Sequence, residues 1–345
     1  MAGSETQSVE SIPPEVPREI AGGRFQVHEK IGAGSYGVVH HGFDRDRGDE
    51  VAVKLEWSRA KKTSAVLREA KLCERFLARS PRPMTPVVRW SGSEGEYNIM
   101  VMDILGPSVK DLARESGGTL SLRTVLMLGI QMVDLLEYVH AFGILHRDIK
   151  PHNFLIGLDN CSDKLYIIDF GLSKPYIDPE TGEHVPFHNG TRGMAGTLSY
   201  VTRNLHQGIR GSRRDDLGSV GYVLMHLLVG ALPWHGTFAL TRKAKRRRIS
   251  REKDSMSHRE LCQGFPDELA MYLEYCDALE YFQDPDYDYL RQLLRTALDR
   301  EVSRYVASAL ARGLPEAQAA EDAVTFDWLM PPRKSRPEAS EGARY

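Results

Sequence analysis

The chain has 345 residues, 41% hydrophobic and 27% charged, with a formal net charge of −2. This composition fits a globular protein with one large domain or two lobes, and it lacks the overall charge excess that would indicate nucleic-acid or membrane binding. The four cysteines have neither a CxxC pattern nor metal-like spacing, so we expect reduced thiols and a cytoplasmic or nuclear location.

Both ends of the sequence are expected to be disordered. Residues 1–22 and 331–345 are rich in Ser, Glu, Pro and Gly, a composition that cannot bury enough apolar surface to fold. The start lacks the basic and then apolar pattern of a signal peptide, and no apolar run reaches the ~18 residues of a membrane span. We therefore expect no membrane attachment.

Residues 23–105 predict a β-rich first part. RFQVHEKIGAGSYGVVHHGF at 24–43 and EVAVKLEW at 50–57 alternate apolar and polar residues, and YNIMVMDIL at 97–105 is an apolar strand pattern. SAVLREAKLCERFLAR at 64–79 is the single helical pattern in this part.

The remainder, residues 106–330, predicts a larger helical part. The segment 121–143 has Ser121 as a candidate N-cap and Gly143 as a stop. Residues 215–230 are apolar nearly all round, which predicts a buried helix. The two parts are expected to meet near residues 105–107.

GAGSYG at 32–37 fits the pattern G-x-G-x-x-G. The pattern alone is compatible with a dinucleotide-binding turn, a loop over phosphates or a plain hairpin. A dinucleotide-binding turn requires a helix next, but the strand-like VVHHGF follows. The phosphate loop and the plain hairpin therefore stay open.

The next strand carries a cation at a suggestive position. Ala52 and Lys54 are two residues apart and share one face of a strand, where they could lie under a purine and its phosphates. Glu69, 15 residues later on the predicted helix, could hold Lys54 in place. The alternative is a solvated edge-strand lysine and a surface glutamate.

HRDIKPHNF at 146–154 places an ordered set of polar groups between apolar runs. Asp148 could orient a hydroxyl and accept its proton, and Lys150 could offset charge on a transferring phosphoryl group. The amide oxygen of Asn153 suits Mg²⁺. Asp169 in YIIDFG follows an apolar strand and offers a second oxygen ligand. Each group alone could equally be a capped turn, a surface ion pair or a bend.

Together and in this order, these motifs match the set found in protein kinases. Residues 25–330 resemble a protein kinase, and in detail the casein kinase 1 family, through KIGAGSYGVV, VAVKLE, HRDIKPHNFLIG and SRRDDLGSVGYVLM. GTLSYVTRNLH at 196–206 has TRN where most kinases have APE, as that family does. The resemblance implies a monomer of the α+β, two-lobed protein kinase fold, with a small β-rich N-lobe at 23–105 and a larger helical C-lobe at 106–330.

The resemblance also implies ATP and Mg²⁺ as cofactors, and a role for each matching position. Lys54 would bind phosphates and pair with Glu69. Asp148 would be the catalytic base, with Lys150 near the γ-phosphate and Thr197 touching both. Asn153 and Asp169 would hold Mg²⁺. The ATP-binding positions would be Ile31, Gly32, Gly34, Gly37, Val39, Ala52, Lys54, Met102, Asp103, Leu105, Leu155 and Ile168.

Two stretches bear on the substrate. HRDIKPHN has Lys150 where tyrosine kinases place Ala or Arg, so it resembles a Ser/Thr kinase. The run TRKAKRRR at 241–248 has six Lys or Arg in eight positions. By resemblance, Arg242 and Lys245 would bind an acidic or phosphorylated residue before the acceptor in a protein substrate. A nuclear localisation signal, a nucleic-acid backbone contact or a solvated helix face are the alternatives.

The sequence departs from the family at three places. His188 stands where relatives have an anion-binding arginine, which Arg192 would replace, and this leaves the need for a primed substrate open. Gly218 replaces a common glutamate inside a predicted helix. The tail after residue 330 is short and has no cysteine pair, so we expect neither an autoinhibitory tail nor a lipid anchor.

Two other functions stay open beside an active kinase. A pseudokinase scaffold would usually lack one of Lys54, Asp148 or Asp169, and all three are present with Asn153. A polyanion-binding module would bind in a strongly salt-dependent way and would keep its binding when Asp148 is lost.

Overall fold

The computed structural model describes residues 15–34, 37–58, 64–79, 84–190 and 195–330. They form two compact units. The first contains the described residues up to Ser108, with Leu135–Asp148 and His152–Pro186. The second contains Val109–Asp134, Ile149–Pro151 and the described residues from Phe187 onward. Arg192 lies outside the described residues.

The first unit is built on an antiparallel sheet. Among the described residues, six strands pair in the order β1-β2-β3-β4-β6-β5. Their bounds are β1 Glu19–Ile20, β2 Phe25–Gly34, β3 Gly37–Asp44, β4 Asp49–Trp57, β5 Val88–Glu94 and β6 Tyr97–Asp103. One face carries an apolar core that includes Phe25, Val51, Val53, Leu55, Ile99 and Val101. Three of these residues alternate along β4, as the period of two predicts.

The other face of β4 is buried as well. Ala52, Lys54 and Glu56 are each at most 7% exposed, although the alternating pattern is typical of a strand with one solvated face. Burial on both faces makes this strand the best-shielded position in the sheet for a functional cation.

Helix α1, Ala65–Arg79, begins where the sequence predicted a helix. The Ser64 hydroxyl accepts a hydrogen bond from the amide of Leu67, which satisfies one of the free amides at the helix start. Val66 and Ala70 pack with Met100 of β6 in a second apolar cluster. The helix is thereby held against the sheet with Glu69 buried.

The rest of the first unit includes the end of helix α3, Leu122–Ala141, and short strands around the HRD and DFG stretches. These are β7 Ile144–Leu145, β8 Phe154–Ile156, β9 Leu165–Ile167 and β10 Lys174–Pro175. Strand β8 pairs with β9 and β7 pairs with β10, both antiparallel. They position residues 146–148 and 168–170 between ordered elements.

The second unit is helical. Its helices are α2 Val109–Glu115, the first part of α3 Leu122–Ala141, α4 Arg203–Gln207, α5 Arg213–Val229, α6 Arg242–Ser255, α7 His258–Leu261, α8 Asp267–Ala278, α9 Tyr287–Ala311 and α10 Glu316–Ala323. Ser121 caps α3 by accepting from the Thr124 amide, as predicted. Helix α5 starts after Ser212, whose amide donates to Asp215 Oδ2 at 2.8 Å, and the helix is buried along nearly its whole length.

The stretch TRN at 202–204 is held through its arginine. The Arg203 guanidinium donates to the carbonyls of Lys253 at 2.8 Å and Met256 at 2.6 Å, and to Asp277 Oδ2 at 3.0 Å. The two carbonyls belong to the end of α6, where helix carbonyls have no partner within the helix. Arg203 therefore ties the start of α4 to the end of α6 and to α8.

The predicted fold class is confirmed: an antiparallel β-rich unit precedes a helical one. Strand β5 was not predicted, because Ser and Gly in VRWSGSE obscure the alternation. Glu19 and Ile20, within the segment expected to be disordered, pair with Gln26 and Phe25. No helix in the described ranges is long and apolar enough to cross a membrane.

Candidate active site

A buried lysine lies between two carboxylates in the first unit. Lys54 Nζ donates to Glu69 Oε2 at 2.7 Å and to Asp169 Oδ1 at 3.2 Å. Strand β4 supplies the lysine, helix α1 the glutamate, and the loop after β9 the aspartate. The pairing of Lys54 with Glu69 was predicted from the sequence, whereas the contact with Asp169 was not.

The two carboxylates keep Lys54 in its charged form. Burial acts against the ammonium form of Lys54, but the carboxylates of Glu69 and Asp169 outweigh burial and raise the pKa of Lys54 above its usual value. A lysine held cationic in a shielded position can bind an anion such as a phosphate group.

Aromatic packing supports the aspartate. Phe170, next to Asp169, contacts Phe76 of α1 with ring centroids 5.2 Å apart, and its ring lies 5.0 Å from that of His146. Both pairs are edge-to-face, the arrangement that aromatic rings favour. The helix that carries Glu69 is thus packed directly against the residue that follows Asp169.

The HRD loop is fixed by hydrogen bonds from both of its ends. His146 Nδ1 accepts from the Asp148 amide at 3.3 Å, and the other ring nitrogen donates to the Ile168 carbonyl at 2.9 Å. Asn153 Nδ2 donates to the Asp148 carbonyl at 2.8 Å. Because the amide nitrogen of Asn153 is engaged, its side-chain oxygen is the atom that could hold a metal ion.

Two residues in this region have left-handed backbone conformations. Arg147 has φ +72° and Asp169 has φ +66°, a conformation that non-glycine residues rarely adopt and that costs about 1–3 kcal/mol where it is strained. Such residues concentrate at functional sites. Arg147 precedes the candidate catalytic Asp148 and Asp169 is itself a candidate metal ligand, so both support the assignment of this region as an active site.

The three glycines of GAGSYG have different structural demands. Gly34 pairs with Gly37 across the hairpin of β2 and β3. A Cβ at Gly37, which has φ +152°, would lie 2.1 Å from the Leu55 carbonyl oxygen, whereas a Cβ at Gly34 would meet nothing within 4 Å. The backbone fold therefore requires glycine only at Gly37, and Gly34 leaves open space above the strand.

The predicted purine-lining residues lie in the first unit. Ala52 pairs with Met102 of β6, and Val39 pairs with Lys54. The amide of Asp103 donates to the Val87 carbonyl at 2.9 Å, so its backbone could meet a purine only through its carbonyl. The remaining candidates are Ile31, Leu105, Leu155 and Ile168, which are half-buried except for the exposed Ile31.

Several predicted residues belong to the second unit. Lys150 and Thr197 are half-buried there, and the carbonyl of Thr197 accepts from the amide of Tyr200 at 2.9 Å. Arg242 and Lys245 are exposed in the first turns of α6. The predicted roles of all these residues stay predictions.

The described geometry combines a buried lysine–glutamate pair with two loops that each carry an aspartate, which is the arrangement of protein kinases. The sequence model for the protein kinase domain matches residues 25–300. The chain belongs to the protein kinase domain family, whose reaction is phosphoryl transfer from ATP with Mg²⁺.

Two residues that support the active site were not predicted from the sequence. Phe76 and His146 pack on Phe170, but the apolar pattern of α1 shows only that Phe76 is buried and does not identify its partner. The left-handed conformation of Arg147 has no sequence signal, because arginine has no preference for it.

Proposed function

We propose that this protein is an ATP-dependent Ser/Thr protein kinase of the casein kinase 1 type, acting on acidic or phospho-primed protein substrates. The observation that carries the proposal is the cluster of Lys54 with Glu69 and Asp169, at 2.7 and 3.2 Å. A scaffold has no need for a buried cation held between two carboxylates, since such clusters are expensive to desolvate.

The residues present fit Mg²⁺ and a nucleotide. Asp169 and Asn153 offer a carboxylate and an amide oxygen, the hard ligands that Mg²⁺ prefers. Lys54 offers a cation for the α- and β-phosphates, and Gly34 leaves room above β2. Bound Mg²⁺ would neutralise the charge that develops on the phosphates.

Asp148 is proposed to act on the acceptor hydroxyl. It orients the hydroxyl and takes its proton as the oxygen forms a bond to the γ-phosphorus and the bond to the leaving ADP breaks. The hydrogen bond from Asn153 to the Asp148 carbonyl fixes the loop at the residue that must be positioned. Positioning of this kind supplies most of the catalysis in phosphoryl transfer.

The test uses purified protein, labelled ATP and Mg²⁺ with matched peptides. One peptide carries Ser as acceptor after an acidic segment, a second has phospho-Ser three residues before the acceptor, and a third replaces the acceptor with Tyr. We expect transfer to the Ser peptides and none to the Tyr peptide. Absence of transfer to every peptide and to a casein-like acidic protein would contradict the proposal and favour a scaffold.

Substrate preference is proposed to depend on Arg242 and Lys245. Cations in the first turn of a helix are opposed by the helix dipole, so these two do not serve to stabilise α6. Arg246 and Arg248 differ, because they donate to the carbonyls of His206 and Phe238 at 2.6 Å each.

A matched set of variants separates these roles. R242A/K245A should raise KM for the primed peptide relative to the unprimed one. R247A, an exposed arginine on the same helix, should leave the ratio of the two KM values unchanged. An unchanged ratio in R242A/K245A would remove both residues from substrate recognition without affecting the assignment as a kinase.

A further inference from the structure

Two histidines and a glutamate meet on the hairpin of β2 and β3. Val27 pairs with Gly42 and Lys30 pairs with His40, so His28 and Glu29 together oppose the single residue His41. Two residues opposite one make a β-bulge. Consecutive side chains of a regular strand point to opposite faces, and the bulge allows His28 and Glu29 to approach the same partner.

The side-chain atoms of this group converge. His28 Nδ1 lies 3.3 Å from His41 Nδ1, and Glu29 Oε1 lies 3.9 Å from the same His41 nitrogen. One ligand atom from each of the three residues lies within 4.8 Å of the others. The Glu29 side chain is 73% exposed, so no packing contact prevents it from moving toward the imidazoles, and the group is open to ions from solvent.

The bulge itself is held by a neighbouring residue. His40 Nδ1 donates to the carbonyl of His28 at 2.8 Å. On the other side of His41, Glu50 Oε1 lies 3.7 Å from Nε2. A carboxylate beside the second nitrogen of a metal-binding histidine is the usual outer partner, since it orients the ring and sets which nitrogen is protonated.

The distance between the two histidine nitrogens fits either a long hydrogen bond or coordination of a shared ion. Nitrogen-donor hydrogen bonds centre on about 2.9–3.0 Å, and the separation here is 3.3 Å. Two imidazole nitrogens at 2.0–2.1 Å from a tetrahedral Zn²⁺ are about 3.3–3.4 Å apart. The observed separation therefore matches shared coordination of one ion.

We propose that His28, Glu29 and His41 form a binding site for a transition-metal dication of the Zn²⁺ class. Two imidazoles and one carboxylate suit Zn²⁺, Co²⁺ or Ni²⁺ over Mg²⁺, which prefers oxygen ligands. Three protein ligands leave a fourth position for water. The ion would tie β2 to β3 at residue 29, three residues before the first glycine of the phosphate-loop motif.

The test is a titration of the full chain with Zn²⁺ against a chromophoric chelator, without nucleotide. Excess Mg²⁺ is present so that the oxygen ligands of Asn153 and Asp169 are occupied and do not bind Zn²⁺. We expect one saturable site in the unmodified protein. H28Q and H41Q should weaken it by at least about tenfold, and E50Q, which changes an outer partner, by about tenfold. H188Q, at an exposed histidine elsewhere, should bind Zn²⁺ as the unmodified protein does.

Two checks keep the result interpretable. Thermal unfolding of each variant without metal shows whether it is folded. If a histidine variant does not fold, E29Q, a change at an exposed position, takes its place in the binding test. Co²⁺ bound to the unmodified protein should give the visible absorption of a tetrahedral site. The proposal is overturned if the unmodified protein shows no saturable Zn²⁺ binding, or if folded H28Q, H41Q and E29Q all bind as tightly as H188Q.

Discussion

The Lys54 ammonium and the Glu69 carboxylate lie 2.7 Å apart, and each residue is at most 7% exposed. The pair joins the central strand β4 to helix α1, so its disruption affects both stability and activity. K54M should leave Glu69 buried without its cation, which costs about 3–5 kcal/mol.

The double variant K54M/E69Q tests this reasoning. Neutralising Glu69 removes the unpaired charge, so we expect the double variant to recover much of the free energy of unfolding that K54M loses, while phosphoryl transfer stays abolished in both. Urea unfolding and a transfer assay measure the two effects. Equal stability of K54M and the unmodified protein would show that the pair is not structurally important.

Among the glycines of GAGSYG, the backbone requires glycine at Gly37. G37A places a Cβ against the Leu55 carbonyl oxygen at 2.1 Å, and the backbone must shift at a cost of about 1–3 kcal/mol. G34A meets open space and should leave the free energy of unfolding unchanged. Thermal unfolding of the two variants side by side checks the difference, and an equal loss in both would contradict it.

Arg203 has a stabilising role in the second unit. R203M should leave the carbonyls of Lys253 and Met256 without the guanidinium donor, whereas Asp277 would lose the guanidinium but keep its contact with His258 Nε2 at 2.7 Å. Hydrogen bonds to charged groups contribute about 1.5–3 kcal/mol, so we expect a loss of this order in urea unfolding. R247M, at an exposed position on α6, is the matched control and should unfold as the unmodified protein does.

His206 should make stability depend on pH. Burial, together with the charges of Lys253 and Arg246, lowers the pKa of His206 to about 3. The folded protein therefore keeps it neutral while the unfolded chain takes up a proton near pH 6.5. Above about pH 6.5 His206 is neutral in both states and does not change the free energy of unfolding. As pH falls from there toward about 3, proton uptake by the unfolded chain lowers the free energy of unfolding by up to about 1.4 kcal/mol per pH unit.

The variant H206Q removes this titration. Between about pH 7 and about pH 5, the free energy of unfolding should fall less in H206Q than in the unmodified protein. Urea unfolding at the two pH values gives both differences. The same loss in both proteins would mean that His206 is not a neutral buried group.

The sequence predicts those features that follow from local period. Ala52 and Lys54 share a face because strand side chains alternate, and the bounds of α1 follow from its helical pattern. The contact between Lys54 and Asp169 joins residues 115 positions apart, and no local pattern encodes such a distance. The bulge at residues 28–29 was missed because an inserted residue breaks the period on which strand prediction depends.

The packing around Gly218 explains why this position departs from the family pattern. Within a helix, glycine costs about 0.5–1 kcal/mol relative to alanine. A Cβ at this position would lie 2.8 Å from Thr202 Cγ2 and 3.6 Å from Cys276 Cβ. The glycine allows α5 to approach both residues closely, a requirement set by packing partners that the sequence alone does not identify.

The central claim, that Asp148 activates the acceptor hydroxyl for phosphoryl transfer, is tested most directly by D148N. Asn keeps the size of the side chain and the hydrogen bonds of the loop backbone but cannot take a proton. Transfer from labelled ATP to a casein-like protein should fall by about 10²–10⁴-fold, while the affinity for ATP and the thermal unfolding midpoint stay unchanged. Transfer at the unmodified rate by folded D148N would contradict the account.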